Sequence, residues 1–315
     1  MSVSKDVGFE MGQKIHIVFA SDANYLPGLE VAKGTMIAAC SDPARLVFHI
    51  FDEEALSGCA VQNMPKWNGS HMPYLRLWLP SLLPDLDYVV YSDVDTIWNR
   101  DVCELWDATV GGDNADCALH WVRDMLSIRK ESGEWIERVA TDEGFEFDWM
   151  RYGCSGVCVM NLKKMREMNF TQRVFDLYAK YGVPKFPDQD VLNVVFNQDC
   201  ALLPSVWGVM GDWRQLPKPN EKCVYHLTGA GRHFNDREPP VYPPQYQLWW
   251  NVRMTMNSVR SGDVNLAVGG HARMLAVTWP FHVLARILPL KLRERIVRQW
   301  FFAKVLDLYM KDVTP

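Results

Sequence analysis

Apolar residues in this chain gather into short runs, separated by longer stretches of helical spacing. Residues 14–20 (Lys-Ile-His-Ile-Val-Phe-Ala), 45–51 (Arg-Leu-Val-Phe-His-Ile-Phe), 88–92 (Tyr-Val-Val-Tyr-Ser) and 115–121 read as strands. Residues 153–160 give a small-residue turn running into a strand, and short strands fall near 201–203 and 223–226. Between them, helices are expected at 28–40 after Pro27, at 73–83 from Pro73, at 162–181 capped by Asn161, and at 188–197. Strands alternating with helices predict an α/β fold with a mixed, mostly parallel sheet flanked by helices. Residues 124–150 are polar with several aromatics; the stretch is long for a connection and reads as a functional flap. Residues 235–247 are rich in Pro and Tyr and read as irregular. The expected organisation is one domain over 1–265 and a helical tail over 266–315.

The chain has 315 residues, 48% hydrophobic and 23% charged, an ordinary globular composition. A net charge of −5 carries no nucleic-acid footprint, so no nucleic-acid partner is expected. The eight cysteines form no Cys-x-x-Cys, and no His stands at zinc-finger spacing; they read as reduced, mostly buried thiols of a cytoplasmic protein. The start, Met1-Ser2-Val3-Ser4-Lys5-Asp6, lacks an apolar leader, and no run of about 18 apolar residues suits a membrane span. The tail changes the picture. Between 284 and 311 seven basic residues face two acidic ones, a local balance of +5 that leaves −10 on the rest. With Trp279, Phe281, Trp300 and Phe301 nearby, this pattern suits docking on an anionic membrane surface, and equally a helix packed on the domain.

Candidate chemistry begins at Asp93-Val94-Asp95. A 315-residue chain should hold roughly one Asp-x-Asp by chance, and this one holds three. Asp85/Asp87 lie in a turn and Asp188/Asp190 open a helix, whereas Asp93/Asp95 close an apolar strand. The carboxyl edge of a strand is where open α/β sheets bind ligands. Two carboxylates there suit a hard divalent cation such as Mn²⁺ or Mg²⁺, and hence a phosphate-bearing substrate.

Other residues fit that chemistry, each with a plainer alternative. The loop Ala20-Ser21-Asp22-Ala23-Asn24-Tyr25 can present a carboxylate, an amide and a ring to a base, or can be an ordinary Asp/Asn turn. Arg76, amid apolar residues, needs a phosphate or an internal carboxylate such as Asp93. Asp188 and Gln189 stand at a helix start, where Asp188 serves as a ligand group or as a cap. His226 ends a strand before Gly229 and Arg232; it suits a third metal ligand, Gly229 a backbone approach to phosphate, and Arg232 its oxygens.

Taken in order, these segments resemble the retaining nucleotide-sugar glycosyltransferases of family GT8, over about residues 14–235. The resemblance implies a GT-A-like fold and transfer of a sugar, UDP-galactose or UDP-glucose being the expected donors, to a glycan or glycolipid hydroxyl. It implies that Asp22, Asn24 and Tyr25 bind uridine beside Ala20, that Arg76 and Asp93 contact the donor, and that Asp93, Asp95 and His226 hold Mn²⁺. Asp188 is then expected on sugar hydroxyls and Gln189 near the anomeric carbon. Two departures stand out. Cys154, before Ser155, replaces the family's usual Asn, and Arg232 replaces its Lys. The alternatives from other classes are a metal-dependent phosphohydrolase with a strand-end Asp-x-Asp, and an inactive nucleotide-sugar-binding protein.

Overall fold

A computed structural model describes residues 13–67, 69–124, 129–210 and 222–227. The tail over 266–315, the segment 235–247, Gly229 and Arg232 lie outside the described residues.

Among the described residues, nine strands and seven α-helices follow one another as β1 (Ile15–Ala20), α1 (Leu26–Ala39), β2 (Leu46–Phe51), α2 (Leu75–Leu82), β3 (Tyr88–Ser92), β4 (Thr96–Trp98), α3 (Val102–Thr109), β5 (Leu119–Arg123), α4 (Arg129–Glu143), β6 (Gly153–Asn161), α5 (Leu162–Glu167), α6 (Phe170–Tyr181), α7 (Pro187–Phe196), β7 (Cys200–Leu203), β8 (Val209–Met210) and β9 (Val224–His226). Six strands form the central sheet in the order β2-β1-β3-β6-β5-β7. Only β6 runs against its neighbours, so the expected mixed, mostly parallel α/β sheet is found. A second, three-stranded sheet has the order β4-β9-β8.

Period-two alternation inside the buried strands feeds two cores. Ile15, Ile17, Phe19, Val90 and Val159 face α1, α3 and the small sheet. Val18, Ala20, Val89, Tyr91, Cys158 and Met160 face α2 and α4 to α7. A sheet covered on both faces explains why its strands read as apolar runs.

Several boundaries differ from the sequence expectation. The strand placed at 115–121 is Leu119–Arg123, which carries its end to Asp124. The helix at 162–181 is two helices, broken at Asn169, which takes the left-handed conformation at φ 52° that Asn tolerates better than most residues. The stretch 124–150 contains helix α4, whose buried Ile136 and Val139 pack in the second core. None of the eight cysteines is in a disulfide, and six are buried. Among the described residues no helix is long and apolar enough to cross a membrane.

Candidate functional site

β1 and β3 are parallel neighbours, so their carboxyl ends share one edge of the sheet. Beyond Ser92 the chain turns sharply. Thr96 Oγ1 donates to the Asp93 carbonyl at 2.9 Å and lies 3.0 Å from Ser92 Oγ. The Asp93 amide donates to Gly156 O at 2.7 Å, tying the turn to β6. On its far side, β4 pairs Thr96 with His226 of β9, and the Leu227 amide donates to Asp95 O at 2.8 Å. The turn therefore brings Asp93, Asp95 and His226 together, with one donor atom from each inside a 4.8 Å cluster. His226 Nε2 lies 3.6 Å from Asp93 Oδ2 and 3.3 Å from Asp95 Oδ1.

Asp95 Oδ1 is buried and receives no hydrogen bond. An orphaned buried acceptor is costly, and a cation beside it removes that cost. Carboxylate oxygens and an imidazole nitrogen are suitable donors for Mn²⁺, so these residues fit a divalent cation. The electrostatics agree. Burial alone would lower the His226 pKa, but Asp95, Cys154 and Asp93 raise it well above the ordinary value. The space between the carboxylates therefore favours positive charge. It also opens outward: the Asp93 and Asp95 side chains keep 27% and 21% exposure, against 6% for His226.

Arg76 links this cluster to the next. From its buried place on α2, Nη2 donates to Asp93 Oδ1 at 2.7 Å and to Tyr91 Oη at 3.1 Å. Nε lies 3.0 Å from Asp188 Oδ2, and Nη1 donates to Ser155 O at 2.6 Å. Its guanidinium stacks on the Tyr91 ring, 4.2 Å from the centroid. Burial alone would raise the Asp93 carboxyl, but Arg76 and His226 hold it below the usual carboxylate range. For Asp188, burial prevails over Arg76 and its pKa is raised.

The first turn of α7 completes the site. Pro187 pre-sets the helical φ, and Asp188, Gln189 and Asp190 follow, all buried. Asp188 Oδ2 accepts from Ser155 Oγ at 2.9 Å. The Gln189 side chain is satisfied at both ends. Its Oε1 accepts from the Ser155 amide at 3.1 Å, and its Nε2 donates to Asp124 Oδ2 at 2.9 Å and Tyr152 Oη at 3.1 Å. Behind it, Asp190 accepts from Tyr152 Oη, Ser132 Oγ and the Phe186 amide. Asp124, Tyr152 and Tyr91 were not singled out by the sequence reading. A signal existed for Asp124, which follows β5 as Asp93 follows β3.

The donor-loop candidates lie at the same edge. Ala20 ends β1, and Asp22 Oδ1 accepts from the Asn24 amide at 2.8 Å, so Asp22 is the cap of a short 3₁₀ turn. Asn24 is exposed and Tyr25 half-buried. This loop is held against the Asp turn because α1 begins there: a Cβ on Gly28 would lie 2.8 Å from Val94 O. Cys154 is buried, with Sγ 3.5 Å from His226 Nδ1.

A sequence model of glycosyl transferase family 8 matches residues 46–229. A Haemophilus influenzae protein named no more narrowly than glycosyltransferase is 28% identical over 240 residues, 67% of this chain and 68% of its own. The lipopolysaccharide 1,2-glucosyltransferase of Escherichia coli is 26% identical over 268 residues, covering 73% of this chain and 75% of that protein. The crystal structure of the galactosyltransferase LgtC with donor and acceptor sugar analogues superposes with a TM-score of 0.51 at 22% identity, over 68% of this chain and 87% of that one. At that identity the likeness shows the fold alone, a GT-A-type glycosyltransferase architecture.

Proposed function

The chain belongs to glycosyl transferase family 8, and on that premise we propose that it moves a sugar from a UDP-sugar to a hydroxyl of a glycan or glycolipid, with a divalent cation and with retention at the anomeric carbon. What carries the reading is the cluster of Asp93, Asp95 and His226, with its buried, unsatisfied Asp95 Oδ1, at the sheet edge that the donor loop also reaches. Family membership takes the place of the phosphohydrolase alternative.

In this reading Asp93, Asp95 and His226 would hold Mn²⁺, or Mg²⁺. The bound ion supplies charge stabilisation for a departing diphosphate. Asp22, Asn24 and Tyr25 bind the uridine, and Gly229 and Arg232 are assigned to the diphosphate. Arg76 acts mainly by fixing Asp93 and Asp188 relative to each other, since its donors are already engaged by protein. Asp188 and Ser155 face the donor sugar. Gln189 is an uncharged amide satisfied at both ends, a poor nucleophile, which supports attack on the same face as the leaving diphosphate over a covalent glycosyl-enzyme. A lipopolysaccharide-type acceptor is favoured by the name of the E. coli relative and by the basic, aromatic tail. That tail would dock on the anionic inner face of a membrane and so localise a cytoplasmic enzyme.

The test is UDP release from a panel of UDP-sugars, with Mn²⁺ or with EDTA, in wild type and Asp95→Ala. Release from one donor, dependent on metal and lost in the variant, is expected. Full release in EDTA would remove the metal from the reading. A covalent adduct on residue 188 or 189, seen by mass spectrometry, would overturn same-face attack.

A further inference from the structure

The two nitrogens of His226 face different surroundings. Nε2 looks toward Asp93 and Asp95. Nδ1 looks into β6, and among the described residues its one hydrogen-bond contact is Cys154 Sγ at 3.5 Å. That distance is ordinary for a hydrogen bond to sulfur, whose radius exceeds that of oxygen. The ring is confined as well. Gly156, two residues along the strand and therefore on the same face as Cys154, leaves no space for a Cβ against Cε1. β6 is buried along all nine residues, so neither contact slides easily.

A neutral imidazole binds metal only through a nitrogen that carries no proton. Which nitrogen that is depends on the hydrogen bond made by the other. We propose that Cys154 is the positioning residue that makes His226 a metal ligand: its sulfur accepts from Nδ1–H and leaves the Nε2 lone pair directed between Asp93 and Asp95. The inference rests on the metal reading of that cluster and deepens it. It also gives the thiol at position 154 a purpose separate from donor-sugar contact. The short strand segment then has three tasks side by side: Cys154 orients the imidazole, Ser155 holds Asp188 and Gln189, and Gly156 leaves room for the ring.

The experiment is Mn²⁺ titration by calorimetry on wild type, Cys154→Ala and Cys154→Ser, with thermal melts to establish that each is folded. Loss of an outer partner of a metal-bound histidine typically weakens affinity about 10–100-fold, and that loss is expected for Cys154→Ala. Cys154→Ser, which keeps an acceptor, should recover a substantial part of it. In turnover assays the alanine variant should need more Mn²⁺ for half-maximal UDP release, and Cys154→Ser should shift that requirement back toward wild type. Wild-type affinity in Cys154→Ala overturns this inference alone. Equal weakening in both variants overturns it too, because packing rather than an acceptor would then be the cause. Wild-type protein that binds no Mn²⁺ defeats the metal reading and this inference together.

Discussion

A Cβ on Gly156 would stand 2.0 Å from Cε1 of His226, and 2.8 Å from Asp93 Oδ2. His226 cannot give way freely, because β9 is hydrogen-bonded to β4 on one side and β8 on the other. Gly156→Ala should therefore displace the imidazole or bend β6. A misplacement of about 1 Å can cost about 100-fold in rate, and overpacking about 1–3 kcal/mol in stability. Mn²⁺ calorimetry and UDP release on the folded variant measure the first effect, and urea unfolding the second. Wild-type metal affinity in Gly156→Ala would show that the crowding is not felt.

Arg76 is a buried cation whose two carboxylate partners, Asp93 and Asp188, come from different elements. Removing one partner of a buried ion pair leaves uncompensated charge, typically costing about 3–5 kcal/mol. Arg76→Ala is expected to lose that much in urea unfolding at pH 7. Arg76→Lys should recover only part, since a single ammonium cannot reproduce the fork that reaches Asp93, Asp188 and Ser155 together. The alanine penalty should shrink as the pH is lowered, and should begin to do so above the ordinary carboxylate range, because burial without Arg76 raises both stranded carboxyls and they protonate early. A penalty independent of pH would assign the loss to packing.

Asp190 gives a pH dependence of the opposite kind. Burial pushes its carboxyl up to about 6, against the hydrogen bonds from Tyr152, Phe186 and Ser132. A carboxyl raised by folding stabilises most below its unfolded pKa, and that contribution disappears as pH rises through the folded value. The shift is worth on the order of 2–3 kcal/mol. Asp190→Asn cannot ionise. The stability of wild type relative to Asp190→Asn should therefore fall between pH 4 and about 6.5 and then level off. Urea unfolding of both proteins across that range measures the difference, in which the other titrating groups largely cancel. A flat difference would mean that Asp190 titrates normally.

How much of this was legible in sequence depends on range. The strand Tyr88–Ser92 and the carboxylates after it were readable, because an apolar run ending in Asp-x-Asp is a local pattern. So were the sheet class and the pairing of Asp93 and Asp95 with His226, the latter through family resemblance rather than spacing. The short strand Thr96–Trp98 was not, since three residues carry no periodicity and its partner lies far along the chain. Helix Val102–Thr109 was missed although Asp101 caps it with a visible signal, its carboxylate accepting from the Cys103 amide. Arg76 was read with both its possible partners open, and the fold supplies Asp93 together with Asp188. The contact of Cys154 with His226 spans 72 residues, and only the folded chain displays it. The tail, Gly229 and Arg232 keep the standing that sequence alone gives them.

Thr35 braces β4, the strand that follows Asp95. Its Oγ1 accepts from the buried Trp98 amide at 3.0 Å and donates to Ala32 O at 3.0 Å. β4 uses one edge to pair with β9, where Thr96 faces His226, and the helix side chain satisfies an amide on the other. Thr35→Val preserves the shape but removes the acceptor. An unpaired buried N–H costs about 1–3 kcal/mol, and urea unfolding of Thr35→Val should show a loss of that size. Thr35→Ser, which keeps the hydroxyl, should recover most of it despite the missing methyl. Because β4 connects Asp95 to the strand bearing His226, Mn²⁺ affinity should weaken in the valine variant and return in the serine variant. A valine variant as stable as wild type, beside a less stable serine variant, would show that the methyl, not the hydroxyl, is what position 35 contributes.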